Sequence, residues 1–335
     1  MNVLKSVVLA GALALGLSSA SAQDPVELEI GYMPILPVSQ LFVTLEEGWM
    51  DEAGIKPDLV QFQNGPAMVQ ALLAGQLDVA YFGIGPAMVA RARGADIKVV
   101  ASNIVEQISI VALGELAPYF EGDHSTAFAR FAEEKGRKAV ITTFPTGSVP
   151  ETVLQYWLRN QLGADPDDVE IVFQGAAQVQ QALLTGAVDG AAILEPIVSS
   201  VIARVDDAKV VASGGELFPN QPGAVLAVRE GTIADHPEAV AALVAAHARA
   251  TDILTGDADR ATTSVAKYVG GGRLDPAIVK SAIESSKTGF VADPNFIVDG
   301  TRVMHDFQGE LGTLKKPVDL DTLFDLSIFE RVEKN

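Results

Sequence analysis

The chain has no cysteine, which excludes a disulfide framework, a thiol nucleophile, thiolate metal ligands and a lipid attached through an N-terminal cysteine. Positive charge is also scarce. With 24 Lys and Arg against 43 Asp and Glu, the formal charge is −19, and such a chain is a poor partner for nucleic acid. Aromatic residues make up only 6 %, so a core must be built from the plentiful Ala, Val, Leu and Ile, as in α/β folds. The four histidines, His124, His236, His247 and His305, are scattered and show no metal-ligand spacing. His-Glu-x-x-His, Gly-x-Ser-x-Gly and the phosphate-binding Gly-x-x-x-x-Gly-Lys pattern are missing. Gly83-Ile-Gly-Pro-Ala-Met88 lacks the last glycine of a dinucleotide fingerprint. No catalytic residue, metal or cofactor is therefore expected, and the protein reads as a non-enzyme.

Long apolar runs are missing as well. The one near the start, Val7 to Leu17, is too short for the ~20 residues that cross a bilayer. It follows Lys5 and precedes Ala20-Ser21-Ala22, the pattern of a cleavable secretory signal ending at residue 22. Its removal takes the formal charge to about −20 and predicts an exported, soluble periplasmic protein. The residues that remain exceed what one hydrophobic core usually serves, so two lobes are expected.

What the sequence does contain is a duplication. Ala71-Leu-Leu-Ala-Gly-Gln-Leu-Asp78 returns as Ala182-Leu-Leu-Thr-Gly-Ala-Val-Asp189, 111 residues later. Each copy follows a glycine, Gly65 or Gly175, and a Val-Gln pair, and precedes a proline, Pro86 or Pro196. A spacing of this size is one small domain, larger than a solenoid repeat. Around the first copy, strand patterns at Leu28–Met33, Asp58–Phe62, Val79–Phe82 and Ile97–Ala101 alternate with helical ones at Val38–Ala53, Pro66–Ala74 and Pro86–Arg93. Around the second, strands at Ala139–Thr143, Val169–Phe173, Gly190–Leu194 and Val210–Ala212 alternate with helices at Val149–Leu162, Ala176–Thr185 and Pro196–Arg204. Helical crossovers imply mostly parallel sheets flanked by helices. Beyond Val228 the pattern is helical, at Pro237–Leu254, Ala258–Val269, Asp275–Glu284 and Asn295–Gly309.

In such sheets ligands bind beyond the carboxyl ends of the strands, where helix N-termini point. Four helices begin there with a proline in their first turn: Asn64-Gly65-Pro66, Gly83-Ile84-Gly85-Pro86, Gly147-Ser148-Val149-Pro150 and Glu195-Pro196. Glycine lets a ligand approach the backbone, and free N–H groups with the positive dipole end favour an anion or a polar acceptor. Ordinary capping competes with this reading. Ser148-Val-Pro-Glu151 is itself a capping box, which leaves Thr146, Gly147 and the loop N–H groups for a ligand. Glu195 is the one ionisable residue of these loops, either an N-cap or a carboxylate facing a ligand's donor. Arg91, Arg93 and Arg159 lie later on helices, so no arginine is evident as partner for an anion. Tyr32, Phe144 and Phe218 are candidate walls, with Trp49, Tyr156 and Trp157 more in keeping with the core.

Taken together, Gly31-Tyr-Met-Pro34, Gly65-Pro-Ala with the first repeat, Gly83-Ile-Gly-Pro86, Thr146-Gly-Ser148 and Val188-Asp-Gly-Ala-Ala-Ile-Leu-Glu-Pro196 resemble the periplasmic binding proteins for taurine, alkanesulfonates and nitrate. The resemblance covers nearly the whole chain after residue 22. It implies a two-lobed type II periplasmic binding fold, a monomer that captures a small molecule and delivers it to an inner-membrane ABC permease. Lobe 1 would comprise 23–114 and 227–335 and lobe 2 115–226, the chain crossing near Leu113 to Asp123 and near Gly214 to Gly223. By position, the ligand loops would be Tyr32 to Leu36, Ile35 among them, Asn64 to Pro66, Gly83 to Pro86, Thr146 to Val149, Gln174-Gly175, Glu195, and Phe218 to Gln221. Sulfonate-binding members often carry Ser or Thr where this chain has Asn64-Gly65 and Gly83-Ile84-Gly85. The expected ligand is a small polar organic solute, with a sulfonate such as taurine favoured. The alternatives are a neutral nitrogen heterocycle such as a pyrimidine thiamine precursor, an exported enzyme like those of pyrimidine synthesis, or a ligand sensor for a membrane receptor.

Overall fold

The computed structural model describes residues 24–334; the expected signal peptide lies outside them. Ten strands form two sheets. In chain order they are β1 (Val26–Tyr32), β2 (Ile55–Gln61), β3 (Val79–Gly83), β4 (Ile97–Ser102), β5 (Ile108–Ala112), β6 (Ala139–Thr143), β7 (Val169–Phe173), β8 (Gly190–Leu194), β9 (Lys209–Ser213) and β10 (Ala224–Arg229). The first sheet has the order β2-β1-β3-β10-β4, the second β7-β6-β8-β5-β9. In each, three parallel strands are followed by one antiparallel strand and then the edge strand. The antiparallel member is exchanged: β5 enters the second sheet directly after β4 leaves the first, and β10 enters the first directly after β9 leaves the second.

This arrangement corrects two expectations. The apolar runs of β5 and β10 have no α-helix between them and the preceding strand, so a search for alternating strand and helix passes over both. The first passage between sheets is at 103–107, upstream of the expected segment from Leu113 to Asp123, while the return lies within 214–223. The long helix expected over Val38–Ala53 is also divided. It runs as Ser39–Glu46 and Trp49–Glu52, separated by Gly48 in the left-handed region at φ 75°.

The duplicated unit does the same physical work twice. Its Ala-Leu-Leu stretch closes the helices Gly65–Leu73 and Ala176–Leu184. The repeated glycine just beyond each, Gly75 or Gly186, is left-handed at φ 74° or 66°, which lets the helix stop within one residue. The closing aspartate then ties the next strand to the first of its sheet. Asp78 Oδ2 accepts from the Glu29 N–H at 3.1 Å and Asp189 Oδ2 from the Val140 N–H at 2.8 Å. The registers match, with Ile30 facing Val79 and Ile141 facing Gly190.

The helices beyond β10 pack mainly on the first sheet. Pro237–Gly256 lies against Ser39–Glu46, and the last helix, Leu326–Glu333, against β4. Two reach further: Pro276–Ser286 touches Ile197–Ile202, and Val298–Glu310 touches both Ile84–Ala92 and Val149–Tyr156. The C-terminal segment thus spans the seam between the lobes. Among the described residues no helix is long and apolar enough to cross a membrane.

Candidate functional site

The loops at the carboxyl ends of β1, β2, β3, β6 and β8 meet along the seam, as their position in open α/β sheets requires. At its centre they close on one another. Ile35, Gly65, Gly83, Phe144 and Ser148 line, with Met33, Val38, Phe82 and Leu194, a cavity of only about 20 Å³, room for a single water molecule. Glycine permits the contact. A β-carbon on Gly83 would lie 2.8 Å from the Val149 side chain of the opposite lobe, and one on Gly85 would lie 3.0 Å from the Gly147 carbonyl oxygen. One on Gly65 would meet the Pro86 ring at 2.5 Å. Ile84 is buried, its N–H donating to the Gly223 carbonyl at 2.9 Å.

Direct ties hold the lobes in this closed state. The Leu36 N–H donates to the Glu195 carbonyl at 3.2 Å and the Ala176 N–H to the Gln63 carbonyl at 3.3 Å. Gln308 Nε2 donates to Thr152 Oγ1 at 2.9 Å, and Ser285 Oγ to Glu195 Oε1 at 3.1 Å.

Several of the expected ligand contacts also serve as helix caps. Asn64 Oδ1 accepts from the Ala67 N–H at 2.9 Å, and Ser148 Oγ from the Glu151 N–H at 3.4 Å. Glu151 reaches back to the Gly147 N–H at 3.1 Å. Burial pushes the Glu151 carboxyl up, against the smaller lowering effects of that N–H and Arg159. Glu195 caps its helix, accepting from the Ser199 N–H at 2.9 Å and the Ser199 hydroxyl at 2.8 Å. Its carboxyl is raised by burial, and the donors that partly offset this are all neutral. Gln174 Oε1 accepts from the Thr142 hydroxyl at 3.0 Å, and Phe218 is buried in a stack on Tyr156 with centroids 3.8 Å apart. Thr146 is exposed. Gln221 belongs to the return crossing, its amide nitrogen donating to the Pro222 carbonyl.

Open polar space lies at the two ends of this contact. Toward the interlobe crossings, a cavity of about 380 Å³ is lined by Glu106, Gln107, Glu195, Ser109, Ser213 and Ser285 among others. At the opposite end Ile35 leads from the central cavity into one of about 250 Å³. Gln61 and Gln63 of the first lobe, Ala176, Ala177 and Gln180 of the second, and the turn Gly270-Gly271 with Arg273 line it. Tyr32, at the end of β1, donates to Gln61 Oε1 at 3.4 Å, and burial raises its hydroxyl. The first-turn N–H of Ala177 has no carbonyl behind it in its helix.

Arg273 is the residue that sequence reasoning passed over. Arg91 pairs with Glu230 at 2.5 Å and Arg159 with Gln155 at 3.2 Å, so neither of these serves the seam. Arg273 has no ion-pair or hydrogen-bond partner among the described residues and lines the cavity mouth. The available signal was Gly270-Gly271-Gly272-Arg273, a flexible turn ending in a cation between two helical patterns. An unpaired guanidinium beside amide side chains suits a carboxylate, sulfonate or other planar-faced anion.

The family model described as the NMT1-like family matches residues 21–270, most of the chain. The chain belongs to the NMT1-like family. Its relatives include a putative binding protein of Brucella abortus, 28 % identical over 284 residues, which cover 84 % of this chain and 82 % of the relative. A putative aliphatic sulfonates-binding protein of Bacillus subtilis is 27 % identical over 335 residues, covering 98 % of this chain and 95 % of the relative. Among solved structures, the ligand binding component of an ABC-type import system from Staphylococcus aureus, with zinc bound, superposes with a TM-score of 0.76. At 19 % identity, over 92 % of this chain and all of that one, it shares the fold. In this NMT1-like chain no group of three or more His, Asp or Glu among the described residues is placed to hold a metal.

Proposed function

We propose that this protein is the solute-capturing component of an ABC importer and that its solute is a small polar organic molecule with an anionic head, with a sulfonate such as taurine favoured. The observation that carries the reading is the unpaired Arg273 at a 250 Å³ cavity walled by both lobes and three glutamine side chains. The Brucella, Bacillus and Staphylococcus relatives, described as binding proteins or an import component, support the same reading. In it the lobes turn about the paired crossings at 103–107 and 214–223. An anion entering at the mouth meets Arg273, the glutamines and the Ala176–Leu184 helix start from opposite sides, so it stabilises the closed state over the open one. The protein acts as a monomer outside the cytoplasmic membrane, where a leader ending at Ala22 would deliver it.

Thermal-shift and calorimetric titration with taurine, longer alkanesulfonates, nitrate and a neutral pyrimidine test the proposal. A ligand at 100 times its dissociation constant stabilises the fold by ~2.7 kcal/mol. Sulfonates are expected to do so, and Arg273→Gln is expected to weaken them by about tenfold or more without lowering the melting temperature of the ligand-free protein. A response to the pyrimidine alone, or to taurine regardless of Arg273, overturns the assignment.

A further inference from the structure

A cavity of about 630 Å³ lies away from the central contact, between the C-terminal end of the helix Ile84–Ala92 and the loop after Val298–Glu310. Arg93, Lys315 and Lys316 line it together with the apolar Val89, Ala92 and Leu314, and no carboxylate does. In a chain with 43 acidic and 24 basic residues, that grouping runs against composition. Several cations elsewhere are matched, Arg137 with Asp189, Arg260 with Glu47 and Lys280 with Asp259. Here Lys315 and Lys316 have no ion-pair or hydrogen-bond partner among the described residues, and the Arg93 side chain reaches only the Gln70 amide oxygen at 3.5 Å.

Three like charges around one hollow repel one another, and a bound anion relieves the repulsion. We infer that this cavity is a second binding site, distinct from the seam, for an organic anion with a short apolar body. The head meets Arg93, Lys315 and Lys316, and the body covers Val89, Ala92 and Leu314. The volume lies within the range of ~300–1,000 Å³ usual for small-molecule sites. The site also adjoins the parts that close the lobes. Val89 lies 3.8 Å from where a β-carbon on Gly147 would stand, and Thr313 Oγ1 donates at 3.1 Å to the carbonyl of Gln308, whose amide holds Thr152.

Hexanesulfonate and hexanoate, titrated calorimetrically, separate this site from the seam. The probes are run on the wild type, on Arg273→Gln, and on the triple variant Arg93→Gln, Lys315→Gln, Lys316→Gln. The expected result is a saturable heat that persists in Arg273→Gln, weakens about tenfold or more in the triple variant, and falls as salt rises. Both variants are surface changes whose folding is checked by circular dichroism. Binding lost in Arg273→Gln but kept in the triple variant places the anion at the seam, which overturns this inference while supporting the proposed function. Binding indifferent to both variants overturns it too, as does a response to anionic-lipid vesicles with none to the soluble probes.

Discussion

At the scale of single residues, the lobes come together because particular side chains are missing. Gly83 has ordinary backbone angles, φ −71° and ψ 148°, so its requirement is for space. Gly83→Ala is expected to leave the melting temperature nearly unchanged and to weaken solute binding by about tenfold or more, because overpacking costs ~1–3 kcal/mol and is felt only on closure. Calorimetry, with small-angle scattering to report the more open shape, checks this. The caps at Asn64 and Ser148 were legible in the sequence, since a side-chain oxygen followed three residues later by a free N–H is a local pattern. Arg273 was not. Its role depends on a turn from the C-terminal half arriving at the mouth of a seam built by the rest of the chain, a relation between distant segments that no periodicity records.

At the scale of elements, the repeat was legible as a domain-sized duplication, but the work of its aspartates was not. Asp78 and Asp189 are fastenings of the sheet. Burial would raise the Asp189 carboxyl, but Arg137, bonded to it at 2.6 and 2.7 Å, and the Val140 N–H hold it below the usual range. A carboxyl lowered in the fold stabilises the folded state at pH above its ordinary value of ~3.9 and loses that contribution as pH falls through its lower folded value. Asp189→Asn is therefore expected to cost about 1–3 kcal/mol in urea denaturation at pH 7 and progressively less as the pH drops below 4. An equal loss at both pH values would contradict the role given to the charge. β5 and β10 escaped the sequence reading for a related reason: each pairs with strands far away in the chain, and an apolar run of five or six residues carries no mark of its partner.

At the scale of the whole molecule, Glu195 is expected to couple closure to acidity. Its carboxyl is raised by burial, and one wall of its cavity, including Ser285, belongs to the other lobe. Opening removes that wall together with the Ser285 donation, which lowers the carboxyl; burial is the larger influence, so the closed state is expected to hold the proton more tightly than the open one. Solute affinity is then expected to increase as pH falls from neutral toward the ordinary glutamate value of ~4.3, and to become flat in Glu195→Gln. Glu106 shares the cavity, so Glu106→Gln is the control that assigns the effect to one carboxylate. The exchanged strands carry a consequence for how such a chain comes into being. β10 sits between β3 and β4, yet about 120 residues separate its sequence from β4, so the first sheet stays split until nearly seventy per cent of the polypeptide exists. Long-range pairing of this kind is slow. The second half, whose strands run consecutively over 108–213, can thus be complete while the first, begun earlier in the chain, still lacks a central strand.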